Sequence, residues 1–295
     1  MSRPPVDVVV PFRGSLTERE ALVARLTRLP HRPDDTITLV ENTPGRGGPD
    51  DATGDAAGGP VRIHRAPGRH TPGYARNRGA AGGHAEWIVF LDADTDPQPD
   101  LLDRYFDPPP APDTGLLAGG VLDAPVPADG PPPARYAYLQ AATSQRQTFR
   151  LGVWAFAQTA NLACRRAAFA AVGGFRDDVR AGEDADLGYR LRHAGWSVER
   201  REAARVVHRN RPTVRGFVVQ KALHGAGAAW LETRYPGSFP ARRRPGLVWW
   251  AARHAVAGLL AAARHRDRDA ALRAIFDPLE QLAYEFGRSL PNRRR

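Results

Sequence analysis

Acidic residues follow directly on the strongest predicted strand of the chain. Residues 87–91 read WIVFL and run without a break into DADTD at 92–96, so Asp92 and Asp94 leave the end of a buried strand. In an open parallel sheet, ligands bind beyond the carboxyl ends of the strands. Carboxylates crowded at such a place repel one another, and a hard cation relieves that repulsion. The pattern predicts a Mg²⁺ or Mn²⁺ site, with an ordinary Asp-rich turn as the alternative.

A second acidic group opens a predicted helix. Residues 182–184 read GED and lead into a helix-like run that starts at Asp184. A carboxylate held close to an acceptor hydroxyl acts as a general base, and this is the role that we predict for Asp184. The alternative is helix capping, because acidic residues are favourable at a helix N-terminus.

Nitrogen-bearing side chains supply the remaining candidates. His208 ends another predicted strand and is a candidate metal ligand, with a structural or solvated histidine as the alternative. Residues 72–79 read PGYARNRG and put Arg76, Asn77 and Arg78 on one predicted helix. Guanidinium groups match phosphate oxygens in paired geometry, so this helix is a candidate diphosphate contact. A solvated helical face is the alternative.

The elements that must position these residues alternate between strands and helices. This alternation predicts an α/β fold with a mostly parallel sheet and helices on both faces. The glycine- and aspartate-rich segment 44–60 predicts a loop. Strands are predicted at 6–11, 36–40, 61–64, 87–91, 115–122 and 198–207. Helices are predicted at 17–29 with Thr17 as the N-cap, and at 72–83, 100–106, 134–149, 165–172 and 184–194.

Composition bounds the class of protein. With 295 residues, 42% of them hydrophobic, the chain is long enough for one large α/β domain and a smaller appendage. The formal net charge is +10, and residues 241–295 carry twelve Arg against five Asp or Glu, or +7 of that total. Cys164 is the only cysteine, which excludes an internal disulfide and a cysteine zinc site and fits a cytoplasmic protein. We expect no membrane span, because no run of about 18 uncharged apolar residues occurs.

Taken in chain order, these segments resemble the family 2 glycosyltransferases, which have the GT-A fold. The resemblance extends over residues 6–210. Each motif is short, and the specificity lies in finding eight of them in the family's order. The matching segments are VVVP at 8–11, LVEN at 39–42, ARN at 75–77, FLDAD at 90–94, ANLA at 160–163, VGGF at 172–175, GED at 182–184 and VH at 207–208.

The resemblance implies a role for each matching residue. It implies that Asp184 is the catalytic base with Glu183 supporting it, and that Asp94 and His208 hold Mn²⁺ or Mg²⁺. The chain departs from the family at residues 41–44, which read ENTP where many members have an Asp-x-x-Ser-x-Asp run, so the base specificity stays open. The residues implied to bind the nucleotide-sugar are Pro11, Glu41, Asn42, Arg76, Asn77, Asp92 and Asn161.

The resemblance also implies an activity and a domain organisation. Residues 1–210 would form the nucleotide-sugar-binding catalytic domain, and residues 211–295 a basic helical extension. The reaction would be metal-dependent, inverting transfer of a sugar from a nucleotide-diphosphate donor to an acceptor hydroxyl of unspecified identity. Two other functions compete: a Mg²⁺-dependent phosphohydrolase, and a basic module that binds an anionic membrane or nucleic acid.

The basic segment 241–295 leaves two possibilities open. It either contacts a membrane surface, which would put the protein at the inner face of the membrane, or packs on the catalytic domain. We expect no nucleic-acid partner, because a basic binding module does not explain the carboxylates at the end of a buried strand.

Overall fold

A computed structural model describes residues 3–45, 53–55, 59–240 and 246–293. The chain divides into two compact units. The first consists of Met1–Leu122, Ser144–His208 and Arg293–Arg295, and the second of Asp123–Thr143 and Arg209–Asn292. The segment Asp123–Thr143, which the sequence analysis grouped with residues 1–210, therefore belongs to the second unit.

Nine strands form one sheet in the described part of the chain, in the order β3-β4-β2-β1-β5-β8-β7-β9-β6. The run β4-β2-β1-β5 is parallel throughout, whereas β3, β8 and β6 pair antiparallel with their partners. The strands are β1 (Val6–Phe12), β2 (Thr36–Glu41), β3 (Thr53–Asp55), β4 (Val61–Arg65), β5 (Trp87–Leu91), β6 (Thr95–Pro97), β7 (Thr114–Asp123), β8 (Asn161–Arg165) and β9 (Ser197–His208).

The α/β class is confirmed, and the sheet is more mixed than the alternation predicted. The parallel part is the part formed by predicted strand–helix–strand units. The antiparallel part depends on β8, a strand that was not predicted because its five residues NLACR carry no β-branched residue. β8 pairs antiparallel with both β5 and β7 and so runs opposite to these two strands. The loop predicted at 44–60 lies largely outside the described residues.

Ten α-helices accompany the strands in the described residues. They are α1 (Leu16–Thr27), α2 (Pro72–Ala81), α3 (Leu101–Arg104), α4 (Pro132–Leu139), α5 (Gln145–Phe149), α6 (Arg166–Ala171), α7 (Glu183–His193), α8 (Val214–Arg234), α9 (Leu247–His265) and α10 (Arg268–Gly287).

Two predicted helix limits were wrong. The N-cap of α1 is Ser15 and not Thr17, because the Ser15 side chain accepts from the Glu18 amide while the Glu18 side chain accepts from the Ser15 amide, a capping box. The single helix predicted at 134–149 is two helices, α4 and α5. Ala141 between them has φ of 46°, a left-handed conformation that ends a right-handed helix.

The core of the first unit has a layer on each face of the sheet. Along β5, Val89 and Leu91 pack in one layer, and Ile88 and Phe90 in the other. Successive strand residues point to opposite faces, so a strand covered on both sides is apolar throughout. The two core layers thereby hold the sheet in place, so the residues that directly follow its strands have defined positions.

The second unit is helical around a small aromatic cluster. Tyr136 stacks on Phe276 with ring centroids 5.3 Å apart, and Phe217 meets both rings edge-on. Tyr136 also donates to Asp277 Oδ1 at 2.7 Å. In the part of the chain that the structure describes, no helix is both long and apolar enough to cross a membrane.

Candidate active site

A tight turn at the end of β5 holds the predicted metal-binding aspartates. The Thr95 amide and hydroxyl donate to the Asp92 carbonyl oxygen at 3.1 and 2.7 Å. The turn leads into β6, which pairs antiparallel with the end of β9 so that Thr95 lies opposite His208. This pairing brings the Asp94 carboxylate to the His208 imidazole, with 3.3 Å between Oδ1 and Nε2.

Asp94 and His208 are a suitable pair of ligands for a divalent cation. The carboxylate oxygen and the imidazole nitrogen, both of which can ligate a metal, lie 3.3 Å apart. His208 is buried, and the Asp94 side chain is partly exposed. Among the described residues, no group of three or more His, Cys, Asp or Glu side chains is arranged to hold a metal. A Mg²⁺-type ion needs only one or two protein ligands when substrate phosphates and water complete its shell. The residues present therefore fit a cation that arrives with a diphosphate.

Arg76 joins the turn after β5 to the start of α7. Its guanidinium donates to Asp92 Oδ1 at 2.7 Å and to Glu183 Oε1 at 2.8 Å, and it lies 5.6 Å from the centre of the Phe175 ring. The Arg76 side chain is buried, and so is that of Glu183. A buried arginine must be paired, and here two carboxylates pair it. Arg76 thus orients two carboxylates, and its burial excludes the solvated helical face that was the alternative to a diphosphate contact.

Asp184 lies next to this ion-pair network on the first turn of α7. Gly182 precedes the helix with φ of 84°, a conformation that favours glycine and that directs Glu183 and Asp184 into the helix start. Burial raises the pKa of the Asp184 carboxyl to about 7, and the nearby negative charges of Glu183 and, more weakly, Asp92 act in the same direction. The residue as a whole keeps partial solvent access. A partly accessible carboxyl with a pKa near neutrality has the properties of a general base.

Glu41 and Pro11 lie on the parallel side of the sheet. Glu41 is the last residue of β2 and pairs with Phe12 in β1, directly after Pro11. Because β1 separates β2 from β5, Glu41 is roughly 10 Å from the β5 end, about two strand spacings. The Glu41 carboxylate is buried, and Arg19 Nη1 of α1 lies 3.6 Å from its Oε2. These two residues lie at the same sheet edge as Asp92.

The three predicted asparagines make structural hydrogen bonds. Asn42 donates its amide to the Ala66 and Arg69 carbonyls at 2.5 and 2.8 Å. Asn77 exchanges two hydrogen bonds of 2.9 Å with the backbone of Phe175, which fixes the ring against Arg76.

Asn161 is fully buried in the sheet. Its amide donates to the carbonyls of Gly120 and Ala204 at 2.9 and 2.8 Å, and its oxygen accepts from the Tyr105 hydroxyl at 2.6 Å. The amide of Asn161 is therefore engaged within the core, and the contact with the nucleotide-sugar that the resemblance implies stays a prediction.

Arg25 supports the turn after β5, although its sequence position did not identify it as a site residue. Arg25 of α1 donates to the Ala93 carbonyl at 2.5 Å and lies 3.8 Å from Asp96. It therefore contacts the acidic turn at residues other than Asp92, which Arg76 binds. The available signal was its helix position: Arg25 lies three residues after Leu22, which is buried. Such spacing puts a residue beside the buried face, but it does not identify which loop the side chain meets.

Comparison with known proteins assigns the chain to a family. The sequence profile described as Glycosyl transferase family group 2 matches residues 87–266, which is more than half of the chain. The chain is a family 2 glycosyltransferase. The matched region contains the aspartate turn, the Glu183–Asp184 pair and His208.

Curated relatives agree with this assignment. The glycosyltransferase is 31% identical over 242 residues to pre-mycofactocin glycosyltransferase of Mycobacterium tuberculosis, in two strains. The match covers 78% of this chain and 48% of the relative. The chain therefore spans about half the length of the curated relatives it matches.

Solved structures confirm the GT-A fold of this glycosyltransferase. A mannosyltransferase of Pyrobaculum calidifontis, in complex with GDP-Man and Mn²⁺, has a TM-score of 0.57 at 17% identity and covers 97% of this chain and 84% of its own. Glucosyl-3-phosphoglycerate synthase of Mycobacterium tuberculosis, in complex with Mn²⁺, UDP-glucose and phosphoglyceric acid, has a TM-score of 0.52 at 19% identity and covers 81% of each chain. At these identities the likeness concerns the fold.

Proposed function

We propose that this glycosyltransferase moves a sugar from a nucleotide-diphosphate donor to an acceptor hydroxyl by metal-dependent single displacement with inversion, and that Asp184 is the base. The observation that carries the proposal is the position of Asp184. It is a carboxyl with a pKa of about 7, and it neighbours the Glu183–Arg76–Asp92 network that leads to the Asp94–His208 pair.

In this mechanism Asp184 takes the proton of the acceptor hydroxyl as that oxygen attacks the anomeric carbon. The attack comes from the face opposite the diphosphate, so the bond to the leaving oxygen breaks as the new glycosidic bond forms. One displacement inverts the configuration and needs no covalent sugar–enzyme intermediate. A base whose pKa lies near the working pH balances availability against basicity, and Asp184 meets this requirement.

Arg76 is a positioning residue in this proposal. Its hydrogen bonds to Asp92 and Glu183 keep these two carboxylates fixed in relation to each other. In the proposal, Asp92 lies on the donor side and Glu183 lies next to the base. Its positive charge also lowers the pKa of Asp184 against the stronger opposite effects of burial and of Glu183. Loss of Arg76 would therefore affect both the geometry and the charge state of the base.

The donor side of the site consists of Pro11, Glu41 and Asp92 in this proposal. Glu41 would face the nucleoside, since it ends the strand two positions from β5. Asp94 and His208 would hold Mn²⁺ or Mg²⁺. When bound there, such an ion neutralises charge on the departing diphosphate. The protein's own part is to bring these two ligands together through the β6–β9 pairing.

Substrate candidates come from the relatives. Two structures of the same fold hold GDP-Man and UDP-glucose, both nucleotide-diphosphate hexoses, and a curated relative is named for glycosylation of pre-mycofactocin. We infer that the donor is a nucleotide-diphosphate hexose, and pre-mycofactocin is the first acceptor to test.

The setting that we propose is the cytoplasm. Cys164 is fully buried, and burial raises the pKa of its thiol, so the reactive thiolate is disfavoured. A buried, unreactive thiol as the only cysteine is compatible with a reducing compartment.

Turnover and stereochemistry test this proposal together. The full chain is incubated with GDP-Man or UDP-glucose, with Mn²⁺, Mg²⁺ or a chelator, and release of nucleoside diphosphate is measured. Proton NMR of the glycosylated acceptor reports the anomeric configuration. Metal-dependent transfer with inversion is the expected result. Transfer with retained configuration, or transfer that the chelator leaves unchanged, would overturn the mechanism.

A further inference from the structure

Helix α9 has two apolar faces, and one of them packs within its own unit. Ala251 and Ala262 are buried on this face, and Gly258 lies on it between them. A Cβ at Gly258 would come within 2.6 Å of the Ala274 Cβ, so α9 and α10 approach closely there. The small residues of α9 are thus accounted for by its contact with α10.

The large apolar residues of α9 point away from that contact. Val248, Trp249, Val256 and Leu260 are 73%, 66%, 58% and 69% exposed. At about 100° per residue they fall within an arc of roughly 120° that lies outside the Ala251–Ala262 face. Soluble monomers rarely expose a contiguous apolar surface of this kind without a use for it.

Positive charge borders the exposed arc. Arg253 and Arg264 are exposed and follow the arc along one edge by the same helical geometry. The Arg253 guanidinium lies 5.4 Å from the centre of the Trp249 ring, so its charge is held beside the apolar surface. Residues 241–295 contribute +7 of the chain's +10 charge, with no acidic residue between 241 and 266. Tryptophan, aliphatic residues and bordering arginines are the composition of helices that lie in a lipid interface.

We propose that the exposed apolar face of α9, formed by Val248, Trp249, Val256, Leu259 and Leu260, docks on an anionic phospholipid surface. The helix lies parallel to that surface, with its aliphatic side chains among the acyl chains and Arg253 and Arg264 at the headgroups. Its 19 residues are about 28 Å long, and Arg253 and His254 in its middle oppose a transmembrane orientation. This inference concerns where the enzyme works and does not depend on the proposed chemistry.

Vesicle flotation of the full chain, without donor or metal, tests the docking. Vesicles of phosphatidylcholine with phosphatidylglycerol are compared with vesicles of phosphatidylcholine alone. The protein should float with the anionic vesicles and only weakly with the neutral ones. Leu260→Glu and Val256→Glu should each lower partition by roughly tenfold or more, because each puts a charge where an apolar side chain enters the interface.

Val153→Glu is the matched control. Val153 is 79% exposed in the first unit, so the substitution adds the same charge at an exposed valine away from α9. This variant should float like the parent, and circular dichroism should report folded protein for all three variants. Equal partition of Leu260→Glu and the parent would overturn the proposal, as would absence of binding to anionic vesicles.

A second copy of the chain is the competing occupant of this face. Light scattering distinguishes the two occupants. If the parent is a dimer that does not float with vesicles, and Leu260→Glu makes it monomeric, lipid docking is contradicted. Transfer to a soluble acceptor is measured in parallel. Normal turnover by a protein that does not float would overturn the docking alone, and flotation by an inactive protein would overturn the proposed chemistry alone.

Discussion

Arg76 and Glu183 form a buried ion pair, 2.8 Å between Nη1 and Oε1, that ties α2 to the first turn of α7. The same guanidinium binds Asp92 with its other terminal nitrogen, so one arginine sets the spacing between the turn after β5 and the residue next to Asp184. The spacing of the candidate site therefore depends on contacts between protein side chains, without a bound ligand.

Replacing Arg76 should affect stability and the pH profile together. Arg76→Gln leaves the Glu183 carboxylate buried without its partner, which should cost about 3–5 kcal/mol of unfolding free energy in urea denaturation. Because the charge of Arg76 lowers the pKa of Asp184, its loss should move the rise of turnover to higher pH. Arg76→Lys keeps the charge and should shift the profile less.

Arg78→Gln on the same helix is the control for this experiment. It removes an equal charge from α2 without breaking the bonds to Asp92 and Glu183. A pH profile that Arg76→Gln leaves in place, at full stability, would contradict the positioning role.

The Asp94–His208 pair predicts how metal affinity divides between two ligands. Asp94→Ala should weaken Mn²⁺ binding in the presence of nucleoside diphosphate by roughly tenfold or more, measured by calorimetry. His208→Ala should weaken it less, because the carboxylate supplies the charge that a hard cation prefers. The fold should survive Asp94→Ala, since this side chain is partly exposed at the end of a buried strand. Unchanged affinity in either variant would remove that residue from the metal site.

Asn161 should behave as a core residue. Asn161→Ala leaves the Tyr105 hydroxyl and the Gly120 and Ala204 carbonyls without their partner, at a cost of about 3 kcal/mol or more. Tyr105→Phe removes one of these bonds and should cost less. Urea denaturation measures both, and the KM for the donor should not change in the folded protein. A stable Asn161→Ala enzyme with a raised donor KM would return Asn161 to the sugar site.

Local pattern was sufficient to predict the elements that hold the site. The apolar run of β5 and the acidic residues after it are neighbours in sequence, so the strand and the turn could be predicted together. The same holds for Glu183 and Asp184, which start α7 as expected. The limits that were wrong, at Thr17 and at 134–149, depended on a capping box and on one left-handed residue, which periodicity does not report.

The pairing of Arg76 could not be predicted in this way. Its partners lie 16 and 107 residues away, and their contact depends on how β5 and α7 are brought together by the sheet. The sequence shows that Arg76 is charged and lies on a predicted helix, but it does not show that the side chain is buried. For the same reason the sequence does not show that the Asn161 side chain is hydrogen-bonded to Tyr105, Gly120 and Ala204 in the core.

The raised pKa of Asp184 has opposite consequences for activity and stability. Turnover should rise as the pH increases through about 7, because the base must lose its proton. The folded pKa exceeds the ordinary value of 3.8, so between about pH 4 and pH 7 the carboxyl ionises more readily in the unfolded chain, and stability falls as pH rises. Thermal unfolding across this range should give Asp184→Asn a growing advantage over the parent. A constant difference between the two proteins would contradict the raised pKa.

The measurement that tests the account most directly is the turnover of Asp184→Asn above pH 8. Asparagine keeps the shape and accepts a hydrogen bond but takes no proton, so kcat should fall by roughly 10²–10⁴. Donor affinity should be preserved, because the donor contacts proposed here are made by other residues. The variant should also remain folded, because it lacks the buried charge that destabilises the parent at this pH. Glu183→Gln is the matched control and should lose less, since Glu183 supports the site through Arg76. Near-normal turnover by Asp184→Asn would contradict the account, and full activity in both variants would exclude this pair from the chemistry.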